Sequence, residues 1–264
     1  MMATRLALLG MCLIAALVAA ERGFAAPDRD KLLTDPGVYG TFAAYSLNDD
    51  WARKEGATRI ALLTVLKGVV EQHREKVAID LYLLRGLSEH ADILFRVHAT
   101  ELGDIQKFLV DLQSSAFGKQ LKVAGIMHGL TKKANYAPGF PDEVKANLKT
   151  ASEPGPKPYA IVIPIRKSAD WWALDQEKRA VMMKEHTEAA LPYHPTVKRK
   201  LYHSTGLDDL DFVTYFETSK LEDFHNLILS LEKVKEFQYT RRFGHPTWLG
   251  TAKGLDELIE ILAQ

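Results

Sequence analysis

The sequence predicts an α+β fold built twice over, two units of the order βαββαβ whose sheets together close into a barrel. Two observations carry this. The first is a degenerate internal duplication: Tyr39 and Trp51 stand 120 positions before Tyr159 and Trp171, and Gly86-Leu87 stands 120 before Gly206-Leu207. Asp92, Leu102 and Asp104 answer to Asp211, Leu221 and Asp223 at a spacing of 119, so the register slips by one between the two groups. The second is the order of hydrophobic periods, which alternates between two-residue and 3.6-residue repeats in the same sequence in both copies. That order describes the ferredoxin-like motif.

Each element follows from local pattern. In the first copy Tyr39 to Tyr45 alternates as a strand, and Arg59 to His73 carries the spacing of a helix. Val77 to Leu84 and Asp92 to His98 form a strand pair around Gly86, and Leu102 to Leu112 is helical. The second copy repeats this with Tyr159 to Ile165, Asp175 to Leu191, Val197 to His203, Asp211 to Glu217 and Leu221 to Leu231. A closing strand is expected at the end of each. Residues 131–158, rich in Pro, Gly, Lys and Asn, read as the linker between a unit at 27–130 and a unit at 159–264.

Residues 1–26 read as a secretory signal, with Arg5 before an apolar run from Leu6 to Ala20 and small-residue cleavage sites ending at Ala20 or Ala25. The run is short for a membrane span, which needs roughly 20 apolar residues; an uncleaved anchor is the alternative. The single cysteine, Cys12, lies in this segment after Met11, where a lipidated cysteine would follow a small residue. The remaining chain therefore has no thiol for disulfides, thiolate metal sites or covalent haem attachment. With 34 basic and 34 acidic residues, no net charge and no basic block, nucleic acid is excluded as an expected partner. No membrane association is expected once the leader is removed.

Chemistry is sought where the copies differ, because a duplication shares what the fold needs and diverges where a site is made. His186 falls opposite Leu66, Arg199 opposite Ile79, and Glu236 opposite Ala116 or Phe117. His186 shares a helix face with Met182, Met183, Ala189 and Ala190. It reads either as a core histidine or as a lone metal ligand, and one imidazole suffices only for iron whose other ligands a porphyrin supplies. Arg199 lies between Lys198 and Lys200, so alternation sends it to the opposite face: inward if the lysines face water, or part of a charge-protected edge strand. Glu236, beside Lys233 and Lys235, reads either as a solvated glutamate or as the acceptor that fixes the His186 tautomer. Lys167, Trp171 and Trp172 end the first strand of the second copy. They fit an ordinary strand end with a buried aromatic, or donors to the propionates of a haem.

The stretches YAIVIPIRKSADWWALDQEKRAVMMKEHTEAALPY, TVKRKLYHSTGLDDLDFVTYFE and VKEFQYTRRFGHPTWLG closely resemble the haem-dependent chlorite dismutases, in particular their long, pentameric type. GVYGTFAAY, LYLLRGLSEHADILFRVHA and KKANYAPGF extend the resemblance across nearly the whole chain beyond the leader. It implies haem b, held non-covalently, with His186 as the iron ligand and Arg199, 13 residues later, as the catalytic cation on the opposite face. It further implies Glu236 as the hydrogen-bond partner of the ligand, Lys167, Trp171 and Trp172 on the propionate side, and Tyr136 as a haem contact. Phe243 stands where some members have tryptophan. The implied reaction converts chlorite to chloride and dioxygen, with the O–O bond formed at a ferryl haem. Self-association as a homopentamer and a periplasmic location are implied as well. Relatives that decarboxylate coproporphyrin haem lack the distal arginine and work in the cytoplasm, so Arg199 and the leader argue against that activity. Two other classes stay open on the residues alone: a periplasmic haem-binding protein without turnover, and an interaction module that uses the barrel only for assembly.

Overall fold

The computed structural model describes residues 28–132 and 157–264; the leader, most of the linker and Tyr136 lie outside them. The described strands are β1 (Tyr39–Leu47), β2 (Ala78–Leu83), β3 (Ile93–Ala99), β4 (Leu121–Leu130), β5 (Tyr159–Lys167), β6 (Val197–His203), β7 (Phe212–Thr218), β8 (Thr240–Phe243) and β9 (Trp248–Lys253). They run in the order β7-β6-β4-β1-β3-β2-β9-β5-β8, and β7 also pairs with β5, which closes the sheet on itself. The two units thus share one continuous antiparallel barrel, joined at Leu130–His203 on one side and by β9 between β2 and β5 on the other.

Alternation along the strands assigns two faces. On the outer face of the first unit, Ala43, Tyr45, Ile93, Phe95 and Val97 are buried under helices α2 (Gly56–His73) and α3 (Leu102–Ser114), which contribute Leu63, Leu66, Ile105, Phe108 and Leu112. The inner face fills the barrel with Phe42, Ala44, Tyr82, Leu94, Tyr202, Tyr215 and Trp248. One end of that interior is polar. The guanidinium of Arg96, fully buried, donates to Tyr202 Oη at 2.8 Å, lies 3.7 Å over the Tyr215 ring and stands 3.5 Å from both Asp80 and Glu217. A short helix α1 (Arg29–Thr34) covers this end through Arg29 to Asp80 at 2.9 Å and Lys200 to the Leu33 carbonyl.

The duplicated residues have structural duties. Gly86 and Gly206 adopt φ of 83° and 80° in the β2–β3 and β6–β7 turns, a region a side chain disfavours. Asp92 accepts the Leu47 N–H at 2.6 Å and Asp211 accepts the Lys167 N–H at 2.7 Å, so each carboxylate terminates the first strand of its own copy. Trp51 and Trp171 are both buried.

The second unit carries α4 (Ala169–Ala173), α5 (Gln176–Ala190) and α6 (Leu221–Leu231). A last helix, α7 (Leu255–Ala263), was grouped by sequence with this unit but packs into the first: Leu258 and Leu262 are fully buried in its core, and Trp51 Nε1 donates to the Leu262 carbonyl at 3.2 Å. Burying two leucines is worth about 3–6 kcal/mol, so the boundary at residue 159 separates the repeats but not their packing.

Candidate functional site

α5 starts cleanly, with Asp175 accepting the Lys178 N–H at 2.8 Å as its N-cap. Three turns on, it presents His186 to the outer face of the second half of the sheet. The imidazole Nε2 lies 3.1 Å from Arg199 Nη1 and Nδ1 lies 3.2 Å from Glu236 Oε2. A guanidinium only donates, so Nε2 is the acceptor, and Nδ1 carries the proton that goes to Glu236. Burial, reinforced by the Arg199 and Lys167 cations, pulls the His186 pKa down to about 3, so the ring is neutral near pH 7 with its free lone pair on Nε2.

Glu236 sits in a 3₁₀ turn (Lys235–Tyr239) after α6, with its side chain only 8% exposed. Its other oxygen pairs with Lys167, whose ammonium also donates to Thr240 Oγ1 at 2.9 Å. Burial lowers the Lys167 pKa against a smaller opposing pull from Asp211. The resemblance implies a place on the propionate side for Lys167; in this structure its ammonium turns toward Glu236. It ends β5 inside the protein, 5.0 Å from the Trp171 ring, and completes a Lys167–Glu236–His186 chain.

Arg199 lies in β6 opposite Phe216, on the outer face of the sheet. Alternation holds, but the expected surroundings are reversed: Lys198 and Lys200 are buried and face the barrel interior, while Arg199 is half-buried in the cleft under α5. Nor does β6 end the sheet: it pairs with β7 along its length and joins β4 at Leu130–His203 on its other side. The interior accepts ammonium groups because its polar end supplies acceptors such as the Leu33 carbonyl.

The cleft is walled by Ile165, Thr214, Phe216, Ile228, Phe237 and Phe243. Thr214 and Phe216 carry no sequence signal of their own; pairing β7 against β6 is what would have found them. Trp171 packs 5.7 Å from Tyr239, behind Lys167. Trp172 lies apart from the His186 cluster: it is 43% exposed, with Phe212 at 6.1 Å and the Arg179 guanidinium 5.8 Å over its ring. Tyr136 is outside the described residues.

Among the described residues, no group of three or more His, Cys, Asp or Glu side chains is placed to hold a bare metal ion. The site offers one oriented neutral imidazole in an apolar cleft, with a cation that cannot itself ligate. That donor set fits a metal that brings four ligands of its own, as porphyrin iron does. Arg199 occupies the very lone pair such a metal would take, so binding must part the two side chains.

Fold and site together define a duplicated α+β barrel protein with a single-histidine centre suited to a flat metal macrocycle. The family profile described as chlorite dismutase matches residues 59–253. The chlorite dismutase of Ideonella dechloratans is 42% identical over 238 residues, 89% of this chain and 84% of that protein. A solved structure of chlorite dismutase from Candidatus Nitrospira defluvii, in complex with imidazole, superposes with a TM-score of 0.85 at 56% identity, covering 90% of this chain and 100% of that one. The coproheme decarboxylase of Mycolicibacterium smegmatis is 25% identical over 207 residues, 77% of this chain and 86% of that protein. This chain belongs to the chlorite dismutase family.

Proposed function

We propose that this chain is a haem b enzyme that converts chlorite to chloride and dioxygen. The observation that carries the reading is the His186–Arg199 pair: a neutral imidazole lone pair in hydrogen-bond contact with a permanent cation inside an apolar cleft, backed by the buried Glu236–Lys167 pair. His186 holds the haem without a covalent tether, since Cys12 is the chain's one cysteine and precedes the barrel. A bound haem, held by His186, would supply oxygen-atom-transfer chemistry toward chlorite, with hypochlorite as the reduced oxyanion.

The residues of the chain do the rest. Glu236 accepts the Nδ1 proton, which keeps Nε2 basic and fixes the ring plane. Lys167 neutralises that carboxylate and so limits how far it can draw the proton off the imidazole. Arg199, released from the imidazole when the cofactor is seated, holds the oxyanions of the reaction by charge-assisted hydrogen bonds. Retaining hypochlorite in the cleft keeps the two oxygen atoms close enough to join, a proximity effect worth several kcal/mol. The walls of Phe216, Ile228 and Phe243 keep competing water out. The protein acts in the periplasm after removal of residues 1–26, assembled as a homopentamer, as a detoxifying oxidoreductase.

The test is direct. The mature chain is purified with haem, its visible spectrum recorded, and dioxygen followed with an electrode as chlorite is added. A haem spectrum with dioxygen evolution is expected. A haem spectrum without dioxygen would leave a haem-binding protein, and failure to take up haem would leave an assembly module; either outcome overturns the reading.

A further inference from the structure

We infer that Met182 and Met183 form a sacrificial thioether site for hypochlorous acid that escapes the cleft. The inference rests on the proposed chlorite reaction, which is the source of that oxidant. Six methionines occur in the sequence: Met1, Met2 and Met11 in the leader, Met127, and the adjacent pair at 182 and 183. With Cys12 also in the leader, the barrel's sulfur chemistry reduces to three thioethers. Met127 is 5% exposed, packed inside the barrel. Met182 and Met183 are the other two, and they sit four and three residues before His186, on its own face of α5.

Packing does not account for this pair. The apolar cluster beneath α5 draws Ala189 and Ala190 from that helix, along with Ile161, Ile163 and Val197, and neither methionine joins it. Both are half-exposed. A thioether is the softest nucleophile left in such a chain, and its oxidation to the sulfoxide is a two-electron step that repair enzymes reverse. The thioether sulfur attacks the chlorine of hypochlorous acid, an S–Cl bond forms and the Cl–O bond breaks to release hydroxide. Water then adds to sulfur and chloride leaves. One thioether and one hypochlorous acid give one sulfoxide, one chloride and one proton; sulfur loses the two electrons that chlorine gains.

The test uses the haem-loaded chain and peptide mass spectrometry in two arms. In the first, reagent hypochlorite is added below one equivalent. In the second, chlorite is turned over with free methionine in excess in the buffer. Both arms are expected to place one oxygen on Met182 or Met183 ahead of Met127 and of the aromatic residues. Retention of the modification despite the external scavenger shows that the oxidant is met before it reaches the bulk. The doubly substituted chain, Met182→Leu with Met183→Leu, conserves side-chain volume. It should begin at the same rate of dioxygen release, complete fewer turnovers before inactivation, and shift oxidation onto aromatic residues. Dioxygen evolution with both methionines intact, or their protection by the external scavenger, overturns this inference alone. Oxidation by reagent hypochlorite in a chain that evolves no dioxygen from chlorite overturns the functional reading on which it rests.

Discussion

Replacing Glu236 by glutamine isolates the charge of the buried carboxylate from its shape. The side chains of Lys167 and Glu236 are 5% and 8% exposed. Two unit charges at a contact distance of about 3 Å attract by about 5 kcal/mol at an effective dielectric near 20. Glutamine keeps an oxygen for the His186 N–H but strands the ammonium of Lys167 with Thr240 Oγ1 as its neutral acceptor and the more distant Glu236 carbonyl at 3.5 Å. Breaking one side of a buried pair costs about 3–5 kcal/mol, whereas replacing both sides by groups of similar volume is often close to neutral. Glu236→Gln should therefore lower stability by about 3 kcal/mol or more, and Lys167→Met in the same chain should recover most of it. Urea unfolding of the two single variants and the double variant, each without haem, measures the coupling as a double-mutant cycle. The same set titrated with haem reads the imidazole: the double variant, refolded but without an anionic acceptor, should bind haem more weakly than the parent. Additive single-variant losses would refute the pairing, and unchanged haem affinity in the double variant would refute the role given to the carboxylate.

Other outcomes follow from the same geometry. Arg199→Ala should leave haem uptake intact, reduce kcat/KM roughly ten- to a hundredfold for a lost charge-assisted hydrogen bond of about 1.5–3 kcal/mol, and release more trappable hypochlorite; an unchanged hypochlorite yield, measured with a chlorination probe, would remove Arg199 from the retention role. Gly40→Ala would place a methyl 2.4 Å from Tyr202 Cε1 and 3.3 Å from His98 Nε2, displacing a ring that bonds both His98 and Arg96. A loss of about 2–4 kcal/mol is expected from the overpacking and the disturbed buried bonds, seen as a lower urea midpoint with the site spectrum unchanged in form. Burial, followed by neighbouring cations, holds both His194 and His203 at a pKa of about 4 in the folded chain. The unfolded chain binds those protons near 6.5, so stability is complete above pH 6.5 and falls as the pH drops toward 4. Unfolding midpoints that stay flat across that window would contradict the buried, neutral assignment.

What the sequence made legible was local, and what it hid was set by distant partners. β6 and α6 end where their periodicity ends, because alternation and the 3.6-residue repeat are properties of a few consecutive side chains. The repeat spacing even located the one-residue slip: Arg199 pairs with Phe216 as Ile79 pairs with Val97, 120 and 119 residues earlier. α7 was not recognised although Leu255, Leu258, Ile259 and Leu262 recur at helical spacing, since the core it completes belongs to α2, far back in the chain. The inward turn of Lys198 and Lys200 contradicts the ordinary expectation that ammonium groups face water. Only the closed barrel reveals that its interior has a polar end to receive them. The pairing of Lys167 with Glu236 is hidden for the same reason: the partner lies 69 residues later, and nothing in the intervening sequence signals that the two meet.

The duplication itself explains why the helix–sheet seam is polar at these positions in one half and apolar in the other. In the first unit, Leu66 of α2 is fully buried and Phe117 likewise, and Ile79 packs against the same cluster, so helix and sheet meet here through apolar contact. Their counterparts in the second unit are His186, Arg199 and Glu236. These three cannot seal a helix onto a sheet as hydrocarbon does. Each needs a hydrogen-bond partner when desolvated, and they supply one another through the His186–Arg199 and His186–Glu236 bonds. A set of mutually satisfied polar groups can be pried apart by a ligand that replaces those bonds with better ones, whereas an apolar seam offers a ligand nothing in exchange. The second unit thus keeps the scaffold of the first, down to the aspartates that end its strands, and converts one helix–sheet seam into a separable one. Reintroducing the first unit's residues at these three positions, together with Lys167→Met so that no buried ammonium is stranded, would be expected to close the seam, raise stability and abolish haem uptake.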